Sequence, residues 1–212
     1  KFFHPDPTVS RQSGFLIPKL QDNSTTGLSL NLPYFIALAE NKDITISPRL
    51  FAEDKLLIQS EFRQKNKNSD HVIDLSQYVS SNENTKGHLF YNLNKNYKNK
   101  NFDDVELNIK LEQVSDETYL KAYKIESPII NNTSNLTNSL GINLFGEKIS
   151  MSSSLDIYEN LSKQDSDKYE YVPNFSFSKI LDENNTFNSK GYYKNYNTNI
   201  TEKVLINNFE FV

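Results

Sequence analysis

The chain has 212 residues, with 23 Lys and Arg against 27 Asp and Glu, a formal net charge of -4 and a pI near 5.5. That balance excludes the clustered basic excess with which nucleic-acid-binding domains neutralise phosphates. The absence of cysteine excludes disulfides, thiolate metal sites and a cysteine nucleophile from this stretch. Mean hydropathy is -0.64 and only 36% of residues are apolar, yet there are 14 Phe and 12 Tyr. Disordered chains are poor in aromatics, so the composition fits a fold that shows a polar face along every strand. No apolar run approaches the roughly 18 residues of a membrane helix. Opening on Lys1 with no charged-then-apolar leader, the chain reads as an internal piece of a longer protein.

Taken in order, His4-Pro5-Asp6-Pro7 is extended and cannot pair fully, because proline has no backbone N–H. The opening strand Ser13 to Leu20 is interrupted by Pro18, which leaves it weakly bonded on one side; an edge strand guarded against aggregation has the same look. From Gly27 to Ala39 the even positions are apolar (Leu28, Leu30, Leu32, Tyr34, Ile36, Leu38), and Ile44, Ile46, Pro48 and Leu50 repeat the rhythm. Such a period of two predicts strands with one greasy face.

The clearest case is Val105, Leu107, Ile109 and Leu111 alternating with Glu106, Asn108, Lys110 and Glu112, a pattern with no helical explanation. Weaker copies at Leu56 to Arg63, Val72 to Val79, His88 to Asn94, Leu136 to Phe145, Ile149 to Ile157, Tyr169 to Phe177, Phe187 to Tyr196 and Val204 to Phe211 bring the total to about twelve strands. Runs of nine to eleven residues point to membrane-spanning barrel strands, and runs of four to six to a soluble sandwich. Several runs here fall in the longer class. The one long connection, Val114 to Asn135, has a length usually reserved for functional or disordered loops.

Candidate chemistry is sparse. His4, His71 and His88 share no metal or triad spacing, and solvated or strand-surface positions are expected for them. Asp165, Asp167 and Glu170 lack the glycine and terminal glutamate of a calcium loop and read as a polar hairpin. Lys95, Lys98 and Lys100 are followed by Asp103 and Asp104, which suits a solvated turn better than a phosphate site. No metal, cofactor or catalytic set emerges, and an enzyme is not expected.

The run Arg11-Gln12-Ser13-Gly14-Phe15-Leu16-Ile17-Pro18 is followed by Pro33-Tyr34-Phe35, by Asp43-Ile44-Thr45-Ile46-Ser47-Pro48-Arg49 and by Glu61-Phe62-Arg63. Further along come Val114-Ser115-Asp116-Glu117-Thr118-Tyr119-Leu120 and Tyr169-Glu170-Tyr171-Val172-Pro173. In this order they resemble the LPS-assembly proteins of the LptD family, once called organic solvent tolerance proteins.

The resemblance implies an all-β fold: an antiparallel meander of about twelve strands forming part of a large transmembrane β-barrel in the outer membrane of a Gram-negative bacterium. It implies a hinge from a periplasmic jelly roll over residues 1–12 and the first barrel strands over 13–212. Expected partners are lipopolysaccharide, an LptE-like lipoprotein plug and, through the missing jelly roll, an LptA-like periplasmic bridge. Nucleic acid is not among them. The function implied is insertion of lipopolysaccharide into the outer leaflet through a laterally opening barrel, with Pro5, Pro7, Arg11, Ser13, Gly14, Phe15, Leu16, Ile17 and Pro18 at the lateral gate and hinge. Glu106, Asn108, Lys110 and Glu112 are expected to face the lumen. The cysteines that form interdomain disulfides in some members are missing here. A soluble carbohydrate-binding module and a plain diffusion porin are the alternatives.

Overall fold

The computed structural model describes residues 11–52, 55–81, 83–164, 168–197 and 200–211. His4, Pro5, Pro7, Asp165 and Asp167 lie outside the described residues. The elements are β1 (Gly14–Phe15), β2 (Lys19–Gln21), β3 (Ser29–Asn31), β4 (Tyr34–Ala39), β5 (Lys42–Phe51), β6 (Leu56–Asn66), β7 (Ser69–Val79), β8 (Lys86–Tyr97), β9 (Asp104–Val114), α1 (Tyr119–Ala122), β10 (Asn135–Phe145), β11 (Ile149–Asn160), β12 (Tyr169–Ile180), β13 (Asn185–Asn197) and β14 (Ile200–Phe211).

All fourteen strands among the described residues belong to one antiparallel sheet. Its path runs β1, β4, then β5 to β14 in order, while β2 pairs with β3 and β3 with β5 beside that path. Twelve strands of the described residues therefore stand along the path, as the alternation anticipates; from β4 onward each joins the next through a short turn except β9 and β10, which residues 115–134 connect. From β5 onward each has ten to thirteen residues, long enough to cross a bilayer tilted at about 45°.

Register gives the sheet two chemically distinct faces, because residues directly opposite each other on paired strands point the same way. One row reads Ile36, Ile44, Phe62, Ile73, Tyr91 and Leu111 across β4 to β9. Another reads Leu107, Ile142, Ser153, Phe175, Gly191 and Leu205 across β9 to β14. Rows of the opposite face read Asn94, Asn108, Gly141, Ser154, Asn174 and Tyr192, and Asn96, Glu106, Asn143, Ser152, Ser176 and Lys190. Large side chains of the first face stay exposed, among them Leu75, Leu89, Leu155, Phe175 and Leu205. A sandwich would cover this face with a second layer; here it is bare across the single sheet.

The buried core lies instead on the polar face at one end, where the connection after β9 folds back over the strands. Leu57, Tyr78 and Phe90 from the sheet meet Tyr119, Leu120, Tyr123, Ile125 and Ile129 from that connection. This long connection is thus an ordered part of the fold.

Three sequence expectations are corrected. The single strand expected from Gly27 to Ala39 is two, β3 and β4, separated by Leu32 and Pro33, because Pro33 offers no donor to continue the ladder. The strand expected from Ser13 to Leu20 is likewise split into β1 and β2. His88, expected at the solvated surface, is buried and stacked on Phe90 at 4.2 Å.

Candidate functional site: a broken edge strand and a covered polar face

At the first edge, β1 pairs with β4 only through Gly14 opposite Phe35 and Phe15 opposite Tyr34. The chain then leaves the ladder at Leu16 to Pro18 and re-pairs as β2 against β3. The same break recurs in its neighbours. Extending the registers puts Pro18 level with Leu32 and Pro48, and Pro33 one residue away. On β5, β4 pairs as far as Ile46 and β3 starts at Arg49, so Pro48 sits where its neighbour has no donor requirement. Leu16 N–H donates to Pro33 O at 2.8 Å and Leu32 N–H to Pro48 O at 2.9 Å, so the prolines still serve as acceptors. A band of three prolines therefore creases the first three tiers of the sheet. Sequence reading singled out Pro18 alone; the fifteen-residue spacing of Pro18, Pro33 and Pro48, matched to hairpin length, is the signal that would have found the band.

Below this crease Arg11 and Arg63 converge on Asp43, whose side chain is 4% exposed. Arg63 Nε donates to Asp43 Oδ1 at 2.9 Å, and Arg11 makes an ion pair with the other carboxylate oxygen while crossing the Phe35 ring at 5.4 Å. Ser13 Oγ accepts from Ala37 N–H at 2.9 Å. These contacts fix the incoming chain to the sheet just before β1. Gly14, Phe15, Leu16, Ile17 and Pro18 follow, with Phe15 and Ile17 largely exposed on the unpaired side.

Residues 115–134 cover the polar face of β5 to β9. Asp116 caps the turn by accepting from the Thr118 hydroxyl and N–H, which hold its carboxyl below the ordinary range. One helical turn, α1, then inserts Tyr119 and Leu120, both fully buried. Two residues past the helix, Lys124 has a φ of 47°, a left-handed turn that aims Ile125 back at the sheet.

Polar contacts anchor the insertion. Tyr119 OH and His88 Nδ1 each lie 2.6 Å from Ser76 Oγ, and His88 Nε2 is 3.3 Å from Asp74 Oδ1, an ion-pair distance without hydrogen-bond alignment. Gln59 Nε2 donates to both Asp74 oxygens at 3.0 Å and to Glu126 O at 2.8 Å, and Arg49 Nη1 donates to Tyr123 O at 2.5 Å. Ser76, His88 and Asp74 have the residue types of a hydrolase triad, but the serine oxygen is capped by a tyrosine and all three are buried, so no substrate carbonyl can reach it. Lys168 Nζ ties the start of the segment to β11, 2.9 Å from Glu117 and 3.0 Å from Glu159; these two hydrogen bonds hold its ammonium above the ordinary range.

Burial pushes the Tyr119 phenol from 10.0 up to about 12, and burial with a bond to Tyr78 pushes Tyr123 up as well. A raised acid keeps its proton longer when folded. The stabilisation is therefore complete below pH 10.0 and is lost as pH climbs through about 12. Alkaline titration followed at the phenolate absorbance should accordingly show buried tyrosines ionising together with release of the segment. Tyr119→Phe, which also deletes the Ser76 bond, should remove one of those late phenolates.

Beyond β9 none of the described residues covers the polar face, which carries amides and hydroxyls bonded to one another. Asn143 Nδ2 donates to Glu106 Oε2 at 2.9 Å, Ser152 Oγ to Asn143 Oδ1 at 2.7 Å, and Asn174 Nδ2 to Ser154 Oγ at 2.6 Å. Glu106, Asn108, Lys110 and Glu112 stand together on this face, opposite Val105, Leu107, Ile109 and Leu111. Glu112 is buried, pairing with Lys110 at 2.7 Å and accepting from Thr137 N–H at 2.6 Å. Glu170 pairs with Lys194 at 2.9 Å. Lys95 lies over the Tyr97 ring at 5.7 Å, and Lys98 and Lys100 are exposed in the turn beyond. Among the described residues no group of His, Asp and Glu is placed to hold a metal ion.

A single sheet of membrane-crossing length, apolar on one side and polar on the other, is a section of transmembrane β-barrel wall. The family described as LptD: LPS transport system D matches residues 93–205, just over half of the chain. The LPS-assembly protein LptD of Pseudoalteromonas atlantica is 27% identical over 176 residues, 82% of this chain and 23% of that protein. LPS-assembly proteins LptD of Pseudomonas aeruginosa and Pseudomonas fluorescens are 34% identical over 77 residues and 47% over 60, covering 36% and 28% of this chain and 8% and 6% of theirs. The chain belongs to the LptD family, and it spans about a quarter or less of the length of these relatives.

Proposed function

We infer that this chain supplies the first strands of an outer-membrane translocon that inserts lipopolysaccharide into the outer leaflet of a Gram-negative bacterium. Residues 1–12 would be the hinge from a periplasmic jelly roll, and residues 13–212 the start of the barrel wall. The observation that carries this reading is the edge: β1 holds its neighbour through two residues before the proline band, whereas β5 to β14 pair along most of their length.

An edge of this kind is suited to part from the barrel's closing strand. Each forgone ladder bond removes roughly 0.5–1.5 kcal/mol, so a few prolines make one junction weaker than its neighbours. Acyl chains then leave through the seam into the membrane while sugars pass along the polar face, whose Asn and Ser groups exchange hydrogen bonds with hydroxyls at little cost. Glu106, Asn108, Lys110 and Glu112 face the lumen in this arrangement. Lipopolysaccharide would arrive through the jelly roll from an LptA-like bridge, and an LptE-like lipoprotein would occupy the remaining lumen. The protein acts by transport, without a chemical step.

Pro18→Ala in the full-length protein tests the seam. Restoring one donor should strengthen the junction and slow the appearance of newly made lipopolysaccharide at the cell surface. Unaltered surface delivery and permeability would remove the seam from the mechanism.

A further inference from the structure

On the apolar face, remote from the broken edge, lies a trough of about 690 Å³ spanning β10 to β14, within the range of about 300–1,000 Å³ usual for ligand sites. Its origin is a missing side chain. In the row Ile142, Ser153, Phe175, Gly191, Leu205, two small residues flank Phe175. The Phe175 ring lies down over Gly191, where an added Cβ would come 2.7 Å from Phe175 Cε1. The next row, Leu140, Leu155, Pro173, Tyr193, supplies the opposite wall. The walls are hydrocarbon and aromatic, and one cation closes the end: Lys203, exposed, with Nζ 5.7 Å from the Tyr193 ring.

A hydrocarbon trough ending in one ammonium beside a tyrosine complements an acyl chain joined to an anionic head group. The end at which Lys203 sits is also informative. It lies at the start of β14, at the same end of the strands as residues 115–134 and opposite the end at which Arg11 enters. With the incoming chain on the periplasmic side, the trough opens toward the outer leaflet. We propose that this trough is a binding site for the phosphorylated, multiply acylated lipid A part of lipopolysaccharide, one acyl chain lying between Phe175 and Leu205 and a phosphate on Lys203. The inference rests on the membrane-spanning reading above and adds to it a lipid site far from the seam.

The test uses the full-length protein in nanodiscs, with a photoactivatable diazirine residue at Leu205 or, as a control on the same face away from the trough, at Leu75. Purified lipid A and phosphatidylglycerol are the two probes. Position 205 should label lipid A well above both phosphatidylglycerol and position 75. Lys203→Glu should weaken that labelling about fivefold or more, the size of effect one basic residue has on anionic lipid. Ser153→Phe, which fills the trough without touching the Gly191 backbone, should abolish the preference while the barrel stays heat-modifiable. Equal labelling at 205 and 75, or equal labelling by both lipids, overturns the site. Absence of lipid labelling at both positions would overturn the membrane-spanning reading itself, so the two failures are distinguishable.

Discussion

Leu120→Asp in the full-length protein is expected to release residues 115–134 from the polar face and to open the barrel to hydrophilic solutes too bulky for ordinary porins. Leu120 is fully buried among Leu57, Tyr78, Phe90 and their partners. Losing its burial forgoes about 1.5–3 kcal/mol, and an unpaired carboxylate in that place costs more again. The ladders of β5 to β9 do not depend on the side chain, so the strands should persist while the covering segment leaves. Uptake of a bulky chromogenic substrate, with heat-modifiability as the control for an intact barrel, reads the result. A tight barrel carrying the aspartate would show that the segment does not close the polar face.

The second large effect concerns how the covering segment reaches the broken edge. Lys19 Nζ lies 2.9 Å from Glu126, Asn23 Nδ2 donates to Ala122 O at 2.7 Å, and Lys124 Nζ to Asp22 O at 3.3 Å. These contacts strap β2 and the turn after it to residues 122–126. Each is weak: an exposed ion pair contributes about 0–1 kcal/mol and a neutral hydrogen bond about 0.5–1.5. The strap is therefore weak enough to part and re-form. Making it permanent, with cysteines replacing Lys19 and Glu126 and joined by a short bismaleimide, should stop lipopolysaccharide from reaching the surface. Cutting it with Lys19→Ala and Asn23→Ala should leave transport running and the barrel leakier. Full export through the covalently strapped protein would mean that the seam opens without moving the upper half of its first strands.

Much of this was legible in the residues. Strict alternation at Val105 to Glu112 needs no tertiary information, since a strand's side-chain period is set by the backbone, and the strand path followed from it. Pro18 announced the break in β1 because a missing N–H is a local fact. The buried core was not legible. Tyr119, Leu120, Tyr123, Ile125 and Ile129 follow no period, since an irregular segment buries side chains wherever its turns aim them. His88 was expected at the strand surface because it shares no metal or triad spacing with His4 or His71. Only the return of residues 115–134 onto that face buries it. The Asp43 cluster was equally hidden, for it joins Arg11 and Arg63 across 32 and 20 residues of chain.

The central claim is that the apolar face meets acyl tails and the polar face meets water. The most direct measurement is a spin-label scan along β11 in membrane-embedded full-length protein, one cysteine at a time from Met151 to Ile157. Collision with lipid-dissolved oxygen should peak at 151, 153, 155 and 157, and collision with a water-soluble nickel chelate at 152, 154 and 156. Shielding of the odd positions from both reagents would mean that those side chains are packed against another protein layer, which would contradict the account.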